Sequence, residues 1–154
     1  MQLLLLRHAK AAQCDFPLPD FERPLSEHGR QQAINIARWL KQTDLIPDRI
    51  LVSAATRTQQ TLQPWLDQHP DKHADIHESL YGATPGEILG LIDETPGSKL
   101  VLVVAHNPGL EYLLRYLSGT DQTMRPGDIA WLRQQPDEST WQAGQAELLA
   151  HISS

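Results

Sequence analysis

Short apolar runs alternate along this chain with longer stretches in which apolar residues recur every three or four positions. The most apolar runs lie at residues 2–6, 49–53 and 99–105. A continuous apolar run of this length predicts a β-strand that is buried on both faces. The stretches between the runs predict amphipathic helices, because a single apolar stripe on each would face the sheet.

Two of the predicted helices follow a serine that is available as an N-cap. Ser26 precedes a helix that should run to about residue 42, and Ser53 precedes the second helix. The residues expected on their buried faces are Ala33, Ile36, Ala37 and Leu40 in the first helix, and Ala55, Gln59, Leu62 and Leu66 in the second.

Two further helices are predicted from prolines near their N-termini. Thr84, Pro85 and Glu87 combine an N-cap, a proline in the first turn and the acid of a capping box. Asn107 and Pro108 provide a similar start directly after the longest apolar run. These helices should end near residues 94 and 117.

The rest of the chain predicts loops and shorter strands. Residues 14–24 contain three prolines and predict a loop, as do the polar residues 68–75. A short extended piece is expected at 75–80, and two strands at 128–134 and 141–152, although 147–152 is equally compatible with a helix. Strands that alternate with helices predict an α/β fold, here a three-layer sandwich with a mainly parallel sheet. Residues 1–154 should form one domain.

Composition narrows the classes of partner. The 154 residues carry a formal net charge of −6, so general binding to nucleic acid or to an anionic membrane is not expected. The leucines at the N-terminus form a run far too short to span a bilayer. The single cysteine, Cys14, excludes an internal disulfide. We therefore expect a cytoplasmic protein with no membrane partner, in which a few arginines hold any anionic ligand.

Polar clusters follow three of the predicted strands. Arg7 and His8 follow the first, Ser53 to Arg57 the second, and His106 the third. The carboxyl ends of parallel strands share one edge of the sheet, where α/β folds bind ligands. Helix N-termini at that edge favour anions. The sequence therefore predicts a phosphate pocket at this edge.

Other phosphatase chemistries lack their signatures in this sequence. Asp20 stands six residues after Cys14, where a thiolate phosphatase loop needs an arginine. No GxxxxGK[ST] loop and no GxSxG elbow occurs. The histidines and acids between residues 69 and 78 predict a solvated loop better than a metal site. We expect neither a metal nor another cofactor, which leaves a histidine nucleophile among arginines.

Five segments resemble a known family. LLLLRHAKA resembles the RHG signature of the histidine phosphatase superfamily, also called phosphoglycerate-mutase-like. RPLSEHG, LVSAATRTQQT, ESLYGAT and VVAHNPGLE resemble the small SixA-type phosphohistidine phosphatases. The resemblance covers residues 2 to about 115, and Ala9 replaces the signature glycine. It implies the phosphoglycerate-mutase-like fold, without a cap insertion.

The resemblance also implies roles for individual residues. His8 would attack phosphorus, Arg7 and Arg57 would bind the phosphoryl oxygens, and His106 would donate a hydrogen bond to them. Glu78 is the nearest match to the general acid of larger family members. Arg23 would extend the pocket toward the substrate.

Three functions remain open at the level of sequence. The first is a metal-independent phosphatase acting on a protein-borne phosphohistidine, such as one on a phosphotransfer domain. The second is a phosphomonoesterase or pyrophosphohydrolase acting on a small metabolite. The third is a non-catalytic module that binds phosphate through the same pocket.

Overall fold

The computed structural model describes residues 1–15 and 17–154, which contain a six-stranded sheet and four α-helices. The strands are β1 Gln2–Arg7, β2 Arg49–Ser53, β3 Asp75–His77, β4 Leu100–Ala105, β5 Ile129–Gln134 and β6 Ala146–Ile152. The helices are α1 Glu27–Gln42, α2 Thr56–Asp67, α3 Pro85–Asp93 and α4 Gly109–Ser118.

The sheet is mainly parallel, as the alternation of strands and helices predicted. Its order is β3-β2-β4-β1-β5-β6, with parallel pairing from β3 through β1. On the other side of β1 the sheet continues with antiparallel pairs: β5 pairs with β1, and β6 pairs with β5. Arg7 pairs with Ala105, so β1 and β4 end at the same level. The residues that follow these two strands therefore emerge side by side.

Helices cover both faces of the sheet. On one face Leu4 and Leu6 pack in a cluster with residues of α1 and α2. On the other face Leu3 and Leu5 pack with residues of α3 and α4. All four leucines are fully buried, which explains why β1 is continuously apolar instead of alternating. The three-layer α/β fold is confirmed.

Two predicted helix caps are confirmed and two are wrong. Ser26 accepts a hydrogen bond from the Gly29 amide, and Thr84 forms the predicted capping box. Ser53 is not the N-cap of α2, which begins at Thr56 after Ala55. Asn107 is not the N-cap of α4, which begins at Gly109 after Pro108.

Tertiary contacts explain both errors. The Ser53 side chain is taken by His106, which lies at the end of a neighbouring strand. The Asn107 side chain donates to Glu111 and to the Met124 carbonyl.

The less regular segments refine the predicted boundaries. Strand β6 begins at Ala146, not at residue 141, and its pairing with β5 rules out the helical alternative for residues 147–152. The extended piece at 75–80 divides into β3 and a single 3-10 turn at Glu78–Leu80. The predicted loop at 14–24 contains a 3-10 turn at Asp20–Glu22, and Phe16 within it lies outside the described residues. None of the described helices is both long enough and apolar enough to cross a bilayer.

The close approach of α1 to the segment after β1 gives a first prediction. A Cβ atom on Gly29 would lie 2.1 Å from the Lys10 carbonyl oxygen. We expect Gly29→Ala to lower the free energy of unfolding by about 1–3 kcal/mol, because backbone must move to relieve this overlap. Urea denaturation measures the change.

Gly90→Ala is the matched control. Gly90 is exposed within α3, and a Cβ there meets no atom within 4 Å. Alanine is the better helix former by about 1 kcal/mol, so this variant should be as stable as the parent or more stable. Equal stability of the two variants would contradict the packing described for Gly29.

Candidate active site

Two histidines from separate strands face each other at the carboxyl edge of the sheet. His8 follows β1 and His106 follows β4, and their ring centroids are 5.2 Å apart. The His8 amide donates to the Ala105 carbonyl at 3.1 Å, which continues the strand pairing by one residue. Both side chains are buried, with exposed fractions of 7% for His8 and 8% for His106. The predicted meeting of residues that lie far apart in the sequence is therefore present in the fold.

The His8 ring is held with one nitrogen available. Its Nδ1 lies 2.7 Å from the carbonyl oxygen of Ala9. Because a carbonyl oxygen only accepts, Nδ1 carries the proton and Nε2 keeps its lone pair. Burial, together with the positive charges of Arg57 and Arg7, lowers the pKa of His8 to about 4. His8 is thus a neutral imidazole at pH 7, as a nucleophile must be.

The arginines of the site are anchored through terminal nitrogens, Arg57 through both and Arg7 through one. Arg57 lies on the first turn of α2, and its Nη1 and Nη2 donate to the backbone and side chain of Asp20 at 2.7 and 2.9 Å. Arg7 donates from Nη1 to the Met124 carbonyl at 2.9 Å. These bonds fix the planes of both guanidinium groups.

His106 is oriented by Ser53. The Ser53 hydroxyl lies 2.8 Å from His106 Nε2, and the Ala55 amide donates to the same hydroxyl oxygen at 3.4 Å. When the hydroxyl donates its proton to Nε2, the proton of a neutral His106 lies on Nδ1. Burial, with the neighbouring His8 and Arg57, lowers the pKa of His106 to about 3. His106 therefore presents a neutral N–H donor.

Three donors of these residues are buried without a hydrogen-bond partner. They are Arg7 Nε, Arg57 Nε and His106 Nδ1, three of the five such side-chain atoms among the described residues. An unpaired buried polar group costs about 1–3 kcal/mol, so their grouping beside His8 requires a reason. An anion with several acceptor oxygens would satisfy them together.

The sequence analysis missed two residues at the edge of this site. Asp20 accepts from Arg57, and the Tyr81 hydroxyl donates to the same carboxylate oxygen at 2.6 Å. The Tyr81 ring also stands edge-on to His106 at 5.4 Å. Asp20 lies in the proline-rich loop and Tyr81 in the ESLYGAT segment. The available signal was the Asp20–Arg23 spacing of three residues, which places a carboxylate beside the predicted binding arginine.

Arg23 and Glu78 differ in their relation to the site. Arg23 reaches it through Asp20, to whose Oδ1 it donates at 3.0 Å. Glu78 is exposed in the turn after β3, and its side chain makes no hydrogen bond to another described residue. The roles expected of both residues stay predictions. No three histidine, cysteine, aspartate or glutamate residues among positions 1–15 and 17–154 form a group able to hold a metal ion.

A parallel α/β sheet with two histidines and two arginines at its carboxyl edge is the arrangement of a histidine phosphatase. Residues 3–88 match the model of the histidine phosphatase superfamily, branch 1, and the chain belongs to this superfamily. It is accordingly a phosphatase of the SixA type.

Individual relatives agree with this assignment. The chain is 32% identical over 124 residues to the phosphohistidine phosphatase SixA of Escherichia coli. The aligned region covers 76% of this chain and 74% of that protein. It is also 32% identical over 143 residues to an uncharacterized chloroplastic protein of Arabidopsis thaliana, covering 86% of this chain but 66% of that protein.

Solved structures extend the likeness to the whole fold. A putative SixA from Agrobacterium tumefaciens superposes with a TM-score of 0.88 at 29% identity and covers 99% of this chain and 97% of its own. A SixA structure with tungstate gives a TM-score of 0.84 at 26% identity, covering 99% and 97%. A putative alpha-ribazole-5'-P phosphatase from E. coli shares the fold at 18% identity and a TM-score of 0.71, covering 100% and 97%.

The lowered pKa of His8 gives a second prediction. His8 should remain neutral as the pH falls from 8 to 5, because its pKa lies near 4 and not at the ordinary 6.5. The chemical shifts of its ring Cε1–Hε1 group, assigned by their loss in His8→Ala, should stay constant over this range. A titration midpoint above pH 6 would contradict the burial and charge described here.

The same shift has a consequence for stability. Between pH 4 and 6.5 the unfolded chain binds protons at His8 that the folded chain does not bind. The free energy of unfolding should therefore rise with pH across this window, and His8→Ala should reduce the slope.

Proposed function

We propose that this protein is a phosphohistidine phosphatase, which removes the phosphoryl group from a histidine of a phosphorylated protein through a phospho-His8 intermediate. The observation that carries the proposal is the neutral His8 with Nε2 available beside three buried donors that lack partners. A phosphoryl group on the substrate has the oxygens that these donors require, and its phosphorus is the atom that Nε2 would attack.

In the first step the substrate's phosphoryl group moves to His8. A bond forms between Nε2 and phosphorus while the bond between phosphorus and the leaving nitrogen breaks, and the electron pair stays on that nitrogen. Charge spreads over the equatorial oxygens in such a transfer, and Arg7, Arg57 and His106 would stabilise it. When the substrate's other ring nitrogen carries a proton, the product is a neutral histidine.

In the second step water hydrolyses phospho-His8. The water oxygen bonds to phosphorus and the P–Nε2 bond breaks, with its electron pair staying on Nε2. The product is inorganic phosphate that carries both water protons, and His8 is again a neutral imidazole. One transfer from nitrogen to nitrogen and one from nitrogen to the water oxygen replace a single difficult displacement. The bond from Nδ1 to the Ala9 carbonyl keeps His8 in the tautomer that both steps need.

The short connections around the site support a substrate carried on a protein. Two residues join β2 to α2, three join β4 to α4, and seven join β3 to α3. These three connections leave no room for a helical cap, and the described part of the longer connection between β1 and α1 contains a 3-10 turn but no α-helix, so a histidine on a protein surface can approach His8. Two further observations on relatives support the proposal: one is named a phosphohistidine phosphatase, and another binds tungstate, a tetrahedral oxyanion like phosphate.

A third prediction concerns the nucleophile. His8→Ala should lower turnover by roughly 10⁴-fold or more, as loss of a covalent nucleophile does in other enzymes. Rapid quenching with ³²P-labelled substrate should give an acid-labile phosphoenzyme in the parent and none in His8→Ala. His28→Ala, which removes an exposed histidine of α1, is the matched control and should behave as the parent. Equal turnover by the parent and His8→Ala would contradict catalysis by His8 and would favour the non-catalytic phosphate-binding module.

A fourth prediction concerns the substrate. A histidine-phosphorylated phosphotransfer domain should release phosphate faster than sugar, nucleotide or serine phosphates at equal concentration, and EDTA should change none of these rates. A phosphohistidine ring that is protonated on its other nitrogen leaves as neutral imidazole without further proton transfer, whereas an alkoxide must be protonated as it departs. Rapid hydrolysis of a metabolite ester without hydrolysis of the phosphoprotein would favour the small-metabolite phosphatase instead.

A further inference from the structure

Asp20 is tied to three side chains at the mouth of the site. Its Oδ2 accepts from Arg57 Nη2 at 2.9 Å and from the Tyr81 hydroxyl at 2.6 Å, and its Oδ1 accepts from Arg23 Nη2 at 3.0 Å. Its backbone oxygen accepts from Arg57 Nη1 at 2.7 Å. The carboxylate is therefore held in one place, next to the Arg57 guanidinium group, whose buried Nε has no partner.

One side of this carboxylate still faces outward. The Asp20 side chain is 52% exposed, whereas that of Arg57 is 7% exposed, so Asp20 lies between the buried phosphate pocket and solvent. A carboxylate offers about four acceptor positions, and the three side-chain bonds above occupy three of them. Oδ1, which receives Arg23 alone, can accept one more donor.

The carboxylate is also firmly ionised. The hydrogen bond from Tyr81, with those from Arg57 and Arg23, lowers the pKa of Asp20 to about 2. The bond to Asp20 raises the pKa of Tyr81, so the hydroxyl stays a donor. Asp20 therefore has no proton to give near neutral pH.

We propose that Asp20 determines leaving-group selectivity, favouring a phosphoryl group on a cationic imidazole ring over one on an oxygen. This inference rests on the proposed function and adds the residue that would distinguish the two kinds of substrate. In an in-line transfer the leaving atom lies opposite His8 Nε2, on the outer side of the phosphoryl group. Because Asp20 contacts the buried Arg57 while its own side chain is half exposed, we place it on that outer side.

A phosphohistidine gains from this neighbour. Its ring carries a proton on the nitrogen that does not bind phosphorus, and this N–H can donate to Asp20 Oδ1. The negative charge stabilises the cationic ring, which is the form that leaves as neutral imidazole. The contact therefore raises the protonated fraction of the substrate and aligns the ring for departure.

A phosphate ester loses from the same neighbour. Its leaving oxygen becomes more negative as the P–O bond breaks, and an ionised carboxylate nearby opposes that charge. Asp20 cannot protonate this oxygen, because the three donors keep the carboxylate ionised. One side chain thus acts in opposite directions on the two classes of substrate.

The test compares two small substrates in the same enzyme preparation. Phosphoimidazole represents the nitrogen leaving group and phenyl phosphate the oxygen leaving group, so docking of a protein plays no part. Asp20→Asn should lower the phosphoimidazole-to-phenyl-phosphate ratio of kcat/KM by about fivefold, the size expected for one charge acting near water. If the substitution also misplaces Arg57, kcat/KM falls for both substrates, and their ratio is unaffected by that common loss.

Three variants control the comparison. Glu22→Gln removes a charge from the same 3-10 turn, at an exposed side chain that makes no hydrogen bond to another described residue, and should leave both rates unchanged. Asp20→Glu retains the charge and should retain the ratio, even if both rates fall. Tyr81→Phe removes a donor to Asp20 but not its charge, so the ratio should again persist. Circular dichroism confirms that each variant is folded.

The outcomes separate the two proposals. A ratio unchanged in Asp20→Asn overturns the role of Asp20, as does a ratio that rises because phenyl phosphate turnover falls, which would make Asp20 a proton donor. If Asp20→Asn raised kcat/KM equally for both substrates, Asp20 would be a competitor of phosphate for Arg57, and the proposal would again be overturned. Failure of the parent enzyme to hydrolyse phosphoimidazole and phosphohistidine protein would instead overturn the proposed function.

Discussion

The level ends of β1 and β4 are the constraint on which the site depends. Arg7 pairs with Ala105, and the His8 amide continues the pairing to the Ala105 carbonyl. The next residue on each strand is a histidine, so the register alone brings His8 and His106 into contact. A shift by one residue would turn the side chains of a strand to the opposite face, and the two histidines would no longer face each other.

Backbone carbonyls orient the polar groups of this site. The Ala9 carbonyl sets the tautomer of His8, the Met124 carbonyl anchors Arg7, and the Asp20 carbonyl holds Arg57. Such partners accept hydrogen bonds without contributing a full negative charge. The arginines can therefore keep their positive charge directed at an anion, while burial and that charge keep the histidines neutral. Asp20 is the exception, because its side chain adds an ionised carboxylate at the mouth of the pocket.

The errors of sequence analysis share one cause. Ser53 and Asn107 stand where helix caps usually stand, and local preference alone assigns them that role. In the fold, Ser53 contacts His106, 53 residues away, and Asn107 contacts Met124, 17 residues away. Asp20 was overlooked for the same reason, since a charged residue between prolines is ordinary in a loop. Only its contacts with Arg57 and Tyr81 distinguish it.

The sequence by itself determined the layers of the fold and the edge on which the chemistry lies. Continuous apolar runs, spaced by amphipathic stretches, identify buried parallel strands, and polar residues directly after them must share the carboxyl edge. The tertiary structure alone decided which nitrogen of His8 is free, which donors lack partners and where Asp20 stands. The position of Asp20 depends on hydrogen bonds to residues as far as 61 positions away, and the free nitrogen of His8 depends on how its buried ring is turned toward the Ala9 carbonyl. Periodicity and local propensity contain no information about either.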